Sequence, residues 1–171
     1  EANAYHDVMQ DLLRATPKGP HEAWLLVDHR FIRRYGLGAV KPFPFPLKPW
    51  LANGYLRRGR TWEELALACG IHAQALRETI ARYNAAAFQG HDPDFGKGLT
   101  PYNRIQGDAV WAAQHGWPNP CMGTLEQGPF YAVKVVMGSL GTFAGLKVND
   151  QAQVLNASGH AIEGLYASGN D

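Results

Sequence analysis

The chain has 171 residues, of which 46% are hydrophobic and 18% charged. That is enough apolar mass for one ordinary core, or for one domain and part of a second, and it excludes disorder. The formal net charge is +1 and the densest basic run is Arg57-Arg58-Gly59-Arg60, so no general field exists to hold nucleic acid or an anionic lipid surface.

Residues 3–15 space Tyr5, Val8, Met9, Leu12 and Leu13 by three and four, which predicts a helix with one apolar face, ended by Thr16-Pro-Lys-Gly-Pro20. Ala23-Trp-Leu-Leu-Val27 is a short apolar run bounded by polar residues and reads as a buried strand, with Asp28 at its end. From Leu37 to Pro49 the glycines, the prolines and the alternation Pro42-Phe-Pro-Phe-Pro46 predict an extended loop. Its aromatics Phe43, Phe45 and Trp50, with Tyr55, fit either the core or an apolar lid. Thr61-Trp-Glu-Glu64 is a capping box that starts a helix, Gly70 ends it, and Leu76, Ile80, Tyr83 and Ala87 mark a second helix closed by Gly90. Between Pro101 and Pro129 no period is sustained, and irregular structure is expected. Tyr131-Ala-Val-Lys-Val-Val-Met137 reads as a central strand, and 147–148, 153–155 and 164–166 read as short strands around the turn Asn156-Ala-Ser-Gly159.

Cys69 and Cys121 are too few and too far apart for a disulfide framework or a zinc site. No two histidines stand four residues apart, so no metal is expected. Asp92-Pro-Asp94-Phe-Gly96 is similar to a calcium loop, but Asn103 stands where the bidentate Glu belongs, and the segment reads as a turn that ends a helix. The helix pair at 61–88 also fits a helix-turn-helix, although only Gln74 and Arg77 of its second helix could reach base edges. A helical hairpin packed on its own domain is the preferred reading. No Gly-x-Gly-x-x-Gly occurs, so the chain lacks the pyrophosphate-binding fingerprint of a dinucleotide fold. No apolar stretch nears the ~18 residues of a membrane span, and Glu1 begins inside a helix-like segment without a leader. The expectation is a cytoplasmic protein, read from an internal piece of a longer chain.

A collinear set of short motifs runs through nearly all of the sequence. It comprises Glu1-Ala-Asn-Ala-Tyr5, Trp24-Leu-Leu-Val-Asp28, Thr61-Trp-Glu-Glu-Leu-Ala, Arg82-Tyr-Asn84, Gly90-His-Asp-Pro-Asp-Phe-Gly96, Gly107-Asp, Gly128-Pro-Phe-Tyr-Ala132, Thr142-Phe-Ala-Gly-Leu146 and Gly164-Leu-Tyr-Ala-Ser-Gly169-Asn. This set resembles the flavoprotein family that contains succinate dehydrogenases, fumarate reductases and 3-ketosteroid dehydrogenases. The resemblance implies an α+β substrate-capping domain over 1–138 and an incomplete, β-rich return into the FAD-binding domain over 139–171. It implies FAD as cofactor, contacted by Thr142, Ala144, Gly145, Gly169 and Asn170, with the remainder of the flavoprotein chain supplying the dinucleotide site. Tyr5 stands where fumarate reductases have an arginine, and Gly141 where they have a histidine, so a dicarboxylate substrate is disfavoured. A tyrosine there is similar to the ketosteroid branch, which implies that Tyr5 removes a proton while hydride leaves to flavin. The expected chemistry is desaturation of a 3-ketosteroid or another apolar cyclic ketone, with this piece inert by itself. Another branch of the family acting on a different substrate is the alternative.

Overall fold

In the computed structural model, which describes residues 5–138 and 145–169 (the first three as backbone only), the strand read at Trp24-Leu-Leu-Val27 is one edge of a three-stranded antiparallel sheet. Strand β1 (Glu22–Val27) and strand β2 (Leu56–Gly59) flank β3 (Phe130–Val136), and Leu25 and Leu56 both face Val133 in the register. Period-two alternation along β3 splits its side chains between two cores. Tyr131 and Val133 join Val27, Ile32, Leu37, Val40 and Leu56 on one face. Phe130 and Ala132 join Leu65 and Cys69 on the other, where the Trp62 ring stacks on Phe130 at 3.8 Å. Ile32, Leu56 and Leu65 are fully buried, and each contributes about 1.5–3 kcal/mol of hydrophobic stabilisation before entropy is counted.

Seven helices are described: α1 (Tyr5–Ala15), α2 (His29–Tyr35), α3 (Lys48–Ala52), α4 (Trp62–Cys69), α5 (Ala73–Gln89), α6 (Pro101–Gln106) and α7 (Ala109–His115). Sequence signals set most of their ends. Asp28 caps α2 by accepting from the Phe31 N–H at 2.9 Å, and Gly36 (φ +79°) ends it where a Cβ would meet the Val40 carbonyl oxygen at 2.3 Å. Thr61 caps α4 as read, accepting from the Glu64 N–H. The Glu64 carboxylate, however, reaches back to the Arg60 N–H at 2.7 Å, one residue earlier than the box predicts. Helix α4 lies directly on β2, because a Cβ at Gly59 would come within 2.2 Å of the Leu65 nitrogen.

One expectation is corrected. The stretch 101–129 is not wholly irregular. It holds α6 and α7, capped by the side chains of Thr100 and Asp108, and each is too short to repeat a helical period. The arginines of 57–60 are exposed, and the run includes β2, Leu56–Gly59, which turns Leu56 and Gly59 inward and Arg57 and Arg58 outward. The aromatics of 43–55 do not act together. Trp50 packs on the first core with the Tyr55 ring 5.2 Å away, whereas Phe43 and Phe45 are exposed. The hairpin α4–α5 packs on itself through Ala66, Leu76 and Ile80. Gln74 donates to Glu78, and Arg77 pairs with Glu63, so neither would-be DNA contact is idle. Asp92 does form a turn, accepting from the N–H groups of Asp94, Phe95 and Lys97.

The chain divides into two compact units, Glu1–Val136 and Met137–Asp171. The described part of the second is a hairpin of β4 (Gln153–Leu155) and β5 (Ala161–Tyr166), with Val148 bridged to Val154. Asn156 builds its turn, accepting from the Ser158 and His160 N–H groups, with Gly159 at φ +82°. All six residues of β5 are exposed. Among the described residues, no helix is long and apolar enough to cross a membrane.

Candidate functional site

Within the first unit, α1, β1, α2, α6, α7 and the segment 117–125 enclose a groove of about 1020 Å³. Val8 of α1, Leu25 and Val27 of β1, Phe31 of α2, Met122 and Leu125 supply apolar wall. A volume of this order suits a small organic ligand.

Polar groups enter the groove in two clusters. Asp28 is 1% exposed. One of its oxygens caps α2, while the other accepts from Arg30 Nε at 3.0 Å and from the Gln127 N–H at 3.4 Å. Arg30 Nη2 donates to the Thr124 carbonyl at 2.7 Å. The second cluster joins α2 to α7. Asp108 Oδ1 accepts from the Trp111 N–H at 2.8 Å as the cap of α7. Asp108 Oδ2 accepts from the Tyr35 hydroxyl at 2.7 Å and from Arg34 Nε and Nη2 at 3.1 and 2.9 Å. The Arg34 guanidinium lies 4.2 Å from the centroid of the Trp111 ring, a cation–aromatic contact that fixes its plane.

The electrostatics follow from those partners. The Trp111 amide, the Tyr35 hydroxyl and Arg34 hold the Asp108 carboxyl down at about 2, against 3.8 ordinarily. Burial first, and Asp108 second, push the Tyr35 phenol up, so Tyr35 stays protonated and acts as a donor. Because the folded carboxyl of Asp108 is depressed, its contribution is complete above about pH 4 and is lost as the pH falls towards about 2. Thermal melts across that window should show a loss of stability on acidification that is smaller in Asp108→Asn. Equal slopes for the two proteins would remove the link.

Tyr5 lies in α1, one turn before Val8, which lines the groove; its side chain lies outside the described residues. Thr142, Ala144 and Asn170 also lie outside them. Gly145 and Gly169 belong to the second unit. Gly169 is in the left-handed region, φ +70°, and among the described residues nothing lies within 4 Å of where a Cβ would stand. Phe43, Phe45, Trp50 and Tyr55 are not among the groove-lining residues. Sequence reading missed Arg30, Arg34, Tyr35, Asp108 and Trp111. The available signals were an Asp cap followed by arginines four apart, and Asp108 three residues before Trp111.

The sequence profile of the family described as "FAD binding domain" matches residues 1–171. The chain is 40% identical over 171 residues to 4-oxocyclohex-2-ene-1-carboxylate 5-dehydrogenase of Sinomonas cyclohexanicum, covering 99% of this chain and 28% of that protein. It is 37% identical over 155 residues to 3-oxosteroid 1-dehydrogenase of Mycolicibacterium smegmatis, covering 89% of this chain and 26% of that protein. Among solved structures, 3-ketosteroid delta1-dehydrogenase from Sterolibacterium denitrificans, in complex with 1,4-androstadiene-3,17-dione, superposes with a TM-score of 0.80 at 33% identity, covering 95% of this chain and 29% of that one. The chain thus spans roughly a quarter of the length of the curated relatives it matches.

Proposed function

Because the chain belongs to the FAD-binding domain family, we propose that it is the substrate-capping part, over 1–138, of a flavoprotein dehydrogenase that desaturates a cyclic ketone next to its carbonyl, with 139–171 returning into the FAD-binding domain. The observation that carries this reading is the apolar groove of about 1020 Å³ bordered by the helix that holds Tyr5. Its size and apolar wall suit a hydrocarbon ring. Relatives at 40% and 37% identity carry the names of dehydrogenases of a cyclohexenone acid and of 3-oxosteroids, so a ring ketone is the substrate chemistry they share.

In this reading Tyr5 accepts the proton from the ring carbon beside the ketone, and the groove orients the ring and keeps water from it. Accepting the hydride is the chemistry that FAD supplies when bound. The groups of this chain that suit a flavin are backbone ones. Gly169, in its left-handed turn with open space at the Cβ position, fits the close approach of a flat ring to main chain. Gly145, with Thr142, Ala144 and Asn170, is proposed to complete that contact. The pyrophosphate of the cofactor belongs to another part of the flavoprotein, since the glycine fingerprint for it does not occur in this sequence.

The test uses the complete flavoprotein under anaerobic conditions. An oxidised-flavin spectrum that bleaches when a saturated cyclic ketone is added is the expected result. Flavin that stays oxidised with every ring ketone would remove the substrate reading, and a protein that purifies and reconstitutes without flavin would remove the cofactor as well.

A further inference from the structure

Helix α2 places two arginines, Arg30 and Arg34, four residues apart and therefore one above the other on a single face. Both line the groove. Each is held in the same manner. Arg30 is fixed through Nε to Asp28 and through Nη2 to the Thr124 carbonyl. Arg34 is fixed through Nε and Nη2 to Asp108. Each guanidinium also sits by an indole, Arg30 at 5.6 Å from the Trp117 centroid and Arg34 at 4.2 Å from that of Trp111, and the two indoles are 6.4 Å apart. In neither arginine does Nη1 have a hydrogen-bond partner among the described residues.

The two orienting carboxylates do not offer an approaching anion much exposed lone pair. Asp28 accepts from Phe31, Arg30 and Gln127, and Asp108 accepts from Trp111, Tyr35 and Arg34. A ligand in the groove would meet N–H groups. A wholly neutral ligand would press apolar surface against the free N–H groups and strip them of water without replacing the hydrogen bonds, which is unfavourable. A planar oxyanion would satisfy them in the fork geometry that guanidinium favours, with both side chains already held in place.

We propose that the Arg30–Arg34 face of the groove seats a carboxylate of the substrate, so that this flavoprotein takes a cyclic ketone bearing an acid group in preference to a neutral one. The proposal rests on the reading of the groove as the ketone-binding face, and names the substrate class within it.

The matched probes are 4-oxocyclohexanecarboxylate and its methyl ester, which share the ring and ketone and differ in charge. Half-saturation for anaerobic flavin bleaching is measured with each in the complete protein. The acid should half-saturate at a concentration roughly tenfold or more below the ester, the worth of one charge-assisted hydrogen bond. Arg34→Met should erase most of that preference, Arg34→Lys should retain part of it, and Arg77→Met, which alters an arginine of α5 paired with Glu63, should keep it whole. Equal half-saturation by acid and ester in the unaltered protein overturns the carboxylate seat and leaves the ketone reading standing, whether or not the variants fold. A shift of both probes by the same factor in Arg34→Met also overturns it. Bleaching by neither probe takes away the ketone reading, and the carboxylate seat falls with it.

Discussion

Asp28→Ala should destabilise the first unit by about 3–5 kcal/mol, the range for breaking a buried ion pair from one side. The carboxylate is 1% exposed and does three jobs. It caps α2 through the Phe31 N–H, pairs with Arg30, and accepts from the Gln127 N–H at the entry to β3. Loss of the cap alone accounts for about 1 kcal/mol. The larger part is the Arg30 guanidinium, whose side chain is only 21% exposed and which would be left with the Thr124 carbonyl as its hydrogen-bond partner. Asp28→Asn keeps an oxygen for the cap and should lose clearly less than Asp28→Ala. Asp11→Ala, which removes a surface pair with Arg14, is the control and should cost under about 1 kcal/mol. Urea unfolding measures all three. An Asp28→Ala loss no larger than the Asp11→Ala loss would show that the buried pair adds nothing to stability.

The parts of this fold that were legible in the sequence are those whose local signal and tertiary role agree. The strand at Trp24–Val27 is apolar because Trp24 and Leu26 pack on one core while Val27 joins the other and Leu25 borders the groove, and α4 and α5 carry a capping Thr, a terminal Gly70 and a repeated apolar spacing along helices of 8 and 17 residues. Helix α2 was not legible, because His-Arg-Phe-Ile-Arg-Arg-Tyr buries Ile32 alone and its arginines resemble a solvated run. Helices α6 and α7 have 6 and 7 residues, too few to show a period, and only their caps announce them. Strand β2 is hidden for a related reason: its four residues hold two outward arginines, and what makes it a strand is pairing with β3, more than seventy residues away. The polar part of the groove was illegible on the same grounds. Arg34 and Asp108 meet across 74 positions of sequence, and no local pattern records that contact. Tyr5, by contrast, was reached through ordered resemblance and not through chemistry, since a tyrosine on an apolar helix face has an ordinary structural explanation.

Tyr5→Phe in the complete flavoprotein should lower turnover by about 10²–10⁴-fold, the usual worth of a positioned acid or base, with flavin content unchanged. A free phenol titrates near pH ~10, so a tyrosine that accepts a proton near neutrality needs help in holding the anion. In the complete flavoprotein that help must come from the groups around its hydroxyl. Tyr5 belongs to α1. One turn on, Val8 is part of the apolar groove, so this part of α1 adjoins the space proposed for the ring. The sign of the pH dependence follows. If Tyr5 is the base, the rate of flavin bleaching in the unaltered protein should rise with pH until the phenol is ionised and then level off. Tyr5→Phe should lose that rise along with the rate. Both readouts are needed, because a phenylalanine that merely loosened the helix would lower the rate at all pH values and leave the shape of the profile intact. Turnover within about twofold of the unaltered protein, well under the factor a catalytic base contributes, would leave Tyr5 as part of the helix face and put the proton acceptor elsewhere in the flavoprotein.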